Sequence, residues 1–294
     1  MMSKLFFWIA YLVVYLISLL PFRVIYILSD GLYLILYYLI GYRRKVVRTN
    51  LENSFPEKSA AEVLKIEKTY FRFMADLIME NVKLLSMSRE SINKRFVLVN
   101  HGFVQDLLDQ DQSILLATSH YGNWEWAAPG ISSIFKGKII GVYKPLSNQD
   151  VEKVINGIRS QFGVLLVPMK QTIRTIAEQT ETYMAVLVSD QTPTRHEKNY
   201  FIDFLNQPTS VFQGLEKIGK LTGNPIVYMH IDRPKRGFYE AHFKMLYNKP
   251  QETEENEITK AYNLELETII KTKPEFWIWS HKRWKHKPPQ HDEN

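Results

Sequence analysis

Residues Leu5 through Phe22 (LFFWIAYLVVYLISLLPF) form an unbroken run without a charge, and this run constrains the chain more than any other feature. As a helix it is just long enough to cross the hydrocarbon layer of a bilayer. A second apolar stretch, Val24 to Gly41, holds a single charge, Asp30, and a basic cluster of Arg43, Arg44, Lys45 and Arg48 follows it. A signal peptide is disfavoured, because no small-x-small cleavage site appears and the basic cluster follows the apolar run rather than preceding it. A buried core hairpin is the competing reading, but Trp8 and the tyrosines along both stretches favour a membrane. The basic cluster then places the remainder of the chain on the cytoplasmic side. One span, Leu5–Phe22, is expected, with the second stretch lying at the interface or packing on the globular part.

The rest of the chain reads as a folded domain. Hydrophobic residues make up 45% of the 294 residues, enough for a proper core and against global disorder. The formal charge of +6 and a pI near 9.2 suit an anionic partner: phospholipid headgroups, a phosphorylated lipid, an acidic carrier protein or nucleic acid. Nucleic acid is set aside, because no basic stripe carries a known binding motif. The chain has no cysteine, which excludes disulfides, thiolate metal sites and a cysteine nucleophile, and is consistent with a cytoplasm-facing protein.

Apolar residues recur at helical spacing from Ala60 to Leu85, predicting one or two amphipathic helices. From Ser113 strands alternate with helices. Strands are predicted at Ile114–Thr118, Lys138–Tyr143, Val164–Val167, Tyr183–Ser189, Pro225–His230 and Phe238–Met245. Helices are predicted at Asn123–Ile131, from a Ser147/Asp150 cap to Gly163, and at Gln171–Thr180, Val211–Leu221 and Ile258–Lys271. This alternation argues for an α/β layer with a mixed, largely parallel sheet flanked by helices. The domain reading is a membrane-anchoring segment over 1–42, a catalytic domain over 43–287 and a disordered tail over 288–294.

The chemistry concentrates in Ser119-His120-Tyr121-Gly122-Asn123-Trp124-Glu125, directly after the first of those strands. Residues five apart on a regular helix lie about 140° from each other, so His120 and Glu125 meet only if His120 sits in the turn before the helix. Gly122 supplies the freedom such a turn needs. Glu125 would then hold one imidazole nitrogen while the other removes a proton from a substrate hydroxyl. A purely structural pair is the alternative. A serine hydrolase is excluded as far as sequence goes, because no G-x-S-x-G element occurs.

HYGNWE resembles the His-x4-Asp/Glu motif of glycerolipid acyltransferases, and more closely that of the bacterial lipid A late acyltransferases. The resemblance extends along most of the chain: Arg48-Thr49-Asn50-Leu51 with Phe55-Pro56, Val142-Tyr143-Lys144-Pro145, Arg159 with Gly163, Asp190-Gln191, and Pro274-Glu275 with Trp279, His281, Arg283 and Trp284. Two positions depart from the family pattern. Lys144 stands where arginine is usual, which removes a bidentate contact, and Phe204-Leu205-Asn206 stands where F-F-G is common.

The resemblance implies a glycerolipid acyltransferase-like fold at the bacterial inner membrane. It also implies an acyl thioester donor, on acyl carrier protein or coenzyme A, and an anionic glycolipid acceptor, with no cofactor and no metal. It makes His120 the base, Glu125 its partner and Arg159 an oxyanion donor. Lys144, Asn123, Asp190 and Gln191 are the candidate substrate contacts. Asp190, at a strand end, serves either to order the site or to cap a turn. Trp277, Trp279 and Trp284, interleaved with Lys282, Arg283 and Lys285, read either as an interfacial patch or as core. A lysophospholipid or aminolipid O-acyltransferase and a non-catalytic lipid-binding scaffold are the rival readings.

Overall fold

The computed structural model describes residues 4–135, 137–160, 162–193 and 200–288. The tail expected to be disordered lies, past Pro288, outside the described residues. The apolar N-terminal region divides at Leu20-Pro21 rather than after Phe22. Helix α1 is Lys4–Leu19 and α2 is Phe22–Leu34, continued without a break by a π-helical turn at Ile35–Leu39. Proline cannot donate the backbone hydrogen bond that would join the two helices, and it caps α2 instead.

This corrects the expected span. Helix α1 has 16 residues, about 24 Å at 1.5 Å per residue, which is short of the hydrocarbon thickness. The described helix that is long and apolar enough to cross a membrane is Phe22–Leu39, by length and composition only. It also packs on the domain, burying Ile25, Ser29, Tyr33 and Tyr37. Helix α1 leaves Phe6, Trp8, Leu12 and Leu16 more than half exposed. Its C-terminal carbonyls are held by Lys83, which donates to Ser18 and Leu20, and by Ser86, which donates to Ser18.

The basic cluster is largely consumed inside the protein. Arg44 and Arg48 pair with the fully buried Glu67, and Arg43 donates to the Ser280 carbonyl at 3.0 Å. Arg44 and Arg48 lie on α3 (Arg44–Ser54) and bind α4 (Ala60–Leu84), which is one long helix with a Ser59/Glu62 capping box. Its buried face, Val63 through Leu84, underlies both N-terminal helices.

Among the described residues, seven strands form one sheet in the order β1-β9-β8-β2-β5-β3-β4. The strands are β1 (Phe96–Leu98), β2 (Ile114–Thr118), β3 (Lys138–Tyr143), β4 (Val164–Pro168), β5 (Tyr183–Val188), β8 (Ile226–Lys235) and β9 (Phe238–Tyr247). All neighbours are parallel except the β8–β9 hairpin. A separate hairpin joins β6 (Phe201–Phe204) to β7 (Gln207–Ser210), turning at Leu205-Asn206 with φ of 51° and 60°. The sheet is therefore mixed and largely parallel, as the strand–helix alternation predicts. The short edge strand β1 and the β6–β7 hairpin were not legible, since neither carries an extended apolar run.

Alternate strand residues feed opposite cores. Leu115, Ala117, Ile140, Ala185 and Tyr228 face α10 (Gly214–Thr222) and α11 (Glu257–Thr272). Ile114, Leu116, Ile139, Met184 and Val227 face α5 (Arg89–Arg95), α6 (Gly102–Asp109) and α7 (Trp124–Ser132). Strands buried on both faces are what helices flanking a parallel sheet require. Helix α8 (Gln149–Ser160) begins one residue later than expected, because Asn148 rather than Ser147 accepts its first N–H groups. Helix α9 is Thr172–Ala177.

Candidate active site

The register of the two central strands brings the site together. β2 and β5 run parallel with Thr118 paired to Val188, so His120 and Asp190, each two residues further on, leave the sheet at the same height. They emerge at the carboxyl ends of adjacent parallel strands, where open α/β sheets bind ligands. His120 Nδ1 lies 2.6 Å from Asp190 Oδ1, and the His120 backbone N–H donates to Asp190 Oδ2 at 3.0 Å. The Trp277 indole N–H donates to the same Oδ2 at 2.8 Å.

Asp190 is 1% exposed. Burial alone would push its carboxyl up, but the His120 imidazole, the indole and the backbone N–H outweigh it and hold the carboxyl below the usual carboxylate range. An ionised Asp190 makes Nδ1 the protonated ring nitrogen. The other nitrogen, Nε2, lies 3.0 Å from the Gln191 side-chain amide and is the one left with a lone pair. Asp190 and Gln191, expected as substrate contacts, bracket the imidazole.

The expected His120–Glu125 contact is not formed. Among the described residues Glu125 binds Arg159, in a bidentate pair: Arg159 Nε donates to Oε2 at 2.9 Å and Nη2 to Oε1 at 2.5 Å. His120 does sit in the turn before α7, as the spacing requires, but its Nδ1 points across the sheet to β5 rather than along α7. Arg159, near the end of α8, is held charged by Glu125, whose carboxylate outweighs the opposing effect of burial. The Trp124 ring lies edge-on to the His120 imidazole at 5.0 Å.

Local backbone geometry fixes the turn. Gly122 has φ +63°, and a Cβ there would lie 2.6 Å from the Ile231 carbonyl oxygen. Its N–H donates to Phe276 O at 3.0 Å, and Tyr121 bridges to Trp277, so the C-terminal segment straps the turn that carries His120. Asn123, expected to touch substrate, is fully buried. Its Oδ1 caps α7 by accepting from Trp126 N, and its Nδ2 donates to Glu80. Lys144 is exposed just beyond β3, on the same carboxyl rim.

Trp277 and Trp279 are buried, so the core reading of these tryptophans holds for both. Asn50 donates to the carbonyls of Trp279 and His281, joining the N-terminal Arg-x-Asn-Leu segment to the C-terminal one. His281 Nε2 accepts from the Thr192 N–H at 3.1 Å, and burial beside Arg283 pushes its imidazole down to about 4. Sequence reasoning missed Glu80, which only its helical position inside a buried stripe could have flagged. Among the described residues no group of three or more His, Asp and Glu side chains is arranged to hold a metal ion.

Comparison with known proteins places this arrangement. Residues 1–286 match the family model described as bacterial lipid A biosynthesis acyltransferase. The chain is 23% identical over 279 residues to a lipid A biosynthesis acyltransferase of Haemophilus influenzae, covering 92% of this chain and 85% of that protein. It is also 23% identical over 285 residues to a lipid A biosynthesis lauroyltransferase of Escherichia coli, covering 96% and 92%.

Proposed function

The chain belongs to the bacterial lipid A biosynthesis acyltransferase family, and from that premise we propose that it moves a fatty acyl chain from a thioester to a hydroxyl of a lipid A precursor or related anionic glycolipid. The thioester is carried by acyl carrier protein or coenzyme A. The observation that carries the reading is the Asp190–His120 pair, which engages Nδ1 and leaves Nε2 facing Gln191, on a histidine partly exposed at the carboxyl rim of the sheet. Nε2 takes the proton of the acceptor hydroxyl, whose oxygen attacks the thioester carbonyl carbon. The C–S bond then breaks, and the imidazolium returns its proton to the departing sulfur, which leaves as the free thiol. Asp190 stabilises that imidazolium from the other side.

The Gln191 side-chain amide, 3.0 Å from Nε2, gives way to the acceptor hydroxyl and then holds its oxygen beside Nε2. The oxyanion is stabilised by Arg159, through the guanidinium edge not engaged by Glu125, together with backbone N–H groups. Lys144 contacts phosphate on the acceptor or an acidic surface of the carrier. The apolar helices attach the protein to the inner membrane, with the catalytic domain on the cytoplasmic side; their exposed faces support this.

The test is transfer of a labelled lauroyl group, supplied separately on acyl carrier protein and on coenzyme A, to a lipid A precursor by the detergent-purified full chain. His120→Ala should lower the rate by roughly 10²–10⁴-fold while circular dichroism stays unchanged. Near-normal transfer by that variant would remove His120 as the base.

A further inference from the structure

Glu80 lies in α4, 43 residues before Asn123, and is fully buried. A carboxylate taken out of water needs donors, and three converge on it. Tyr26 OH donates to Oε1 at 2.9 Å, while Tyr239 OH at 2.6 Å and Asn123 Nδ2 at 2.8 Å share Oε2. The Arg233 guanidinium is 3.9 Å away. Two of the donors tie down α2 and β9. The third reaches the catalytic turn.

An asparagine cap can present either its oxygen or its NH2 to the first helical N–H groups, and only the oxygen caps. Here Oδ1 accepts from Trp126 N at 3.2 Å, while Nδ2 is held by Glu80. Turning the amide over would set an N–H against the Trp126 N–H and an oxygen against a carboxylate. Glu80 therefore locks the cap in its working orientation, and the Trp126 indole adds a bond to the Glu80 carbonyl at 3.3 Å. The capped turn lies between His120 and Glu125, and its flank is the Trp124 ring packed on the imidazole.

We infer that Glu80 is a positioning residue for acyl transfer: by fixing the Asn123 amide it sets the start of α7, and with it the spacing between His120 and the Glu125–Arg159 pair. It touches no substrate. The inference rests on the reading that the His120 turn is the active site.

A reciprocal exchange tests it in the full chain, with lauroyl-acyl carrier protein and a lipid A precursor as substrates. Asn123→Asp keeps a capping oxygen but sets a carboxylate against Glu80. It should lower kcat by on the order of 10–10²-fold, the cost of a small misplacement, with little change in either KM. Adding Glu80→Gln supplies a donor to that carboxylate and should restore most of the lost kcat. Tyr239→Phe removes another bond to the same Glu80 oxygen without touching Asn123. It should lower the melting temperature and leave kcat near wild type.

Failure of Glu80→Gln to rescue Asn123→Asp overturns the inference. So does a loss of kcat in Tyr239→Phe as large as that in Asn123→Asp, since Glu80 would then serve packing alone. His120→Ala, run alongside, separates the two readings: if it retains activity, the active-site assignment fails whatever the Glu80 variants do.

Discussion

Asp190→Asn should leave the site's shape intact and remove its chemistry. The carboxylate accepts three hydrogen bonds, two of them at Oδ2 from donors that cannot change, the His120 backbone and the Trp277 indole. An asparagine would keep its oxygen there and turn its NH2 toward His120 Nδ1. The imidazole must then accept at Nδ1 and carry its proton on Nε2, so the lone pair that takes the acceptor proton is lost. A wrong tautomer in an otherwise preserved histidine–carboxylate pair costs about 10⁴-fold in kcat, or about 5.4 kcal/mol of barrier at 1.36 kcal/mol per tenfold. KM for both substrates should change little, because the Asp190 side chain is buried away from any substrate. Steady-state transfer by the purified variant, with the melting temperature recorded alongside, measures both quantities. The double variant with His120→Ala should be no slower than His120→Ala alone, since the two residues act as one unit. A folded Asp190→Asn protein within about tenfold of wild-type kcat would refute the tautomer argument and the role given to His120 Nε2.

Glu125→Gln and Arg159→Ala should each lower kcat more than the donor KM, and their double variant should be little worse than Arg159→Ala, because they form one bidentate pair; full additivity would show independent roles. Gly122→Ala should destabilise by about 1–3 kcal/mol, because it combines a left-handed φ with a 2.6 Å approach to Ile231 O, and a thermal melt reads this directly. His230 and His281 are both pushed from 6.5 down to about 4, burial being the main cause. The unfolded chain therefore binds their protons first. That stability is present above pH 6.5 and drains away as pH falls toward 4, so the melting temperature should decline over this window, and a flat profile would contradict the burial of both rings. Deleting residues 1–17 should shift the protein from the membrane pellet toward the soluble fraction with little change in melting temperature, since α1 leaves its apolar side chains half exposed.

The pairing of His120 with Glu125 rather than with Asp190 was the natural reading of a linear motif, because five residues are near and seventy are far. Parallel pairing reverses that ranking: β2 and β5 hydrogen-bond in register, and the residues just past their ends become neighbours. In the same way Asn123 looked like a substrate contact because it lies inside the motif, yet its amide is spent on a helix cap and on Glu80. The basic cluster at Arg43–Arg48 has a membrane-facing sequence pattern, but a buried Glu67 draws two of its arginines inward.

The sequence by itself determined the strand–helix alternation, the boundaries of β2 and β3 to the residue and the apolar character of the N-terminus. These follow from local rules, in which a run of apolar residues at period two or 3.6 has few ways to bury itself. Tertiary structure alone decided which carboxylate serves His120, which one holds Arg159 and which buried glutamate braces the turn. It also decided that the continuous apolar helix starts at Phe22. Those choices depend on strand register, helix docking and the need of each buried charge for a partner, and such partners lie 34 to 70 residues away along the chain.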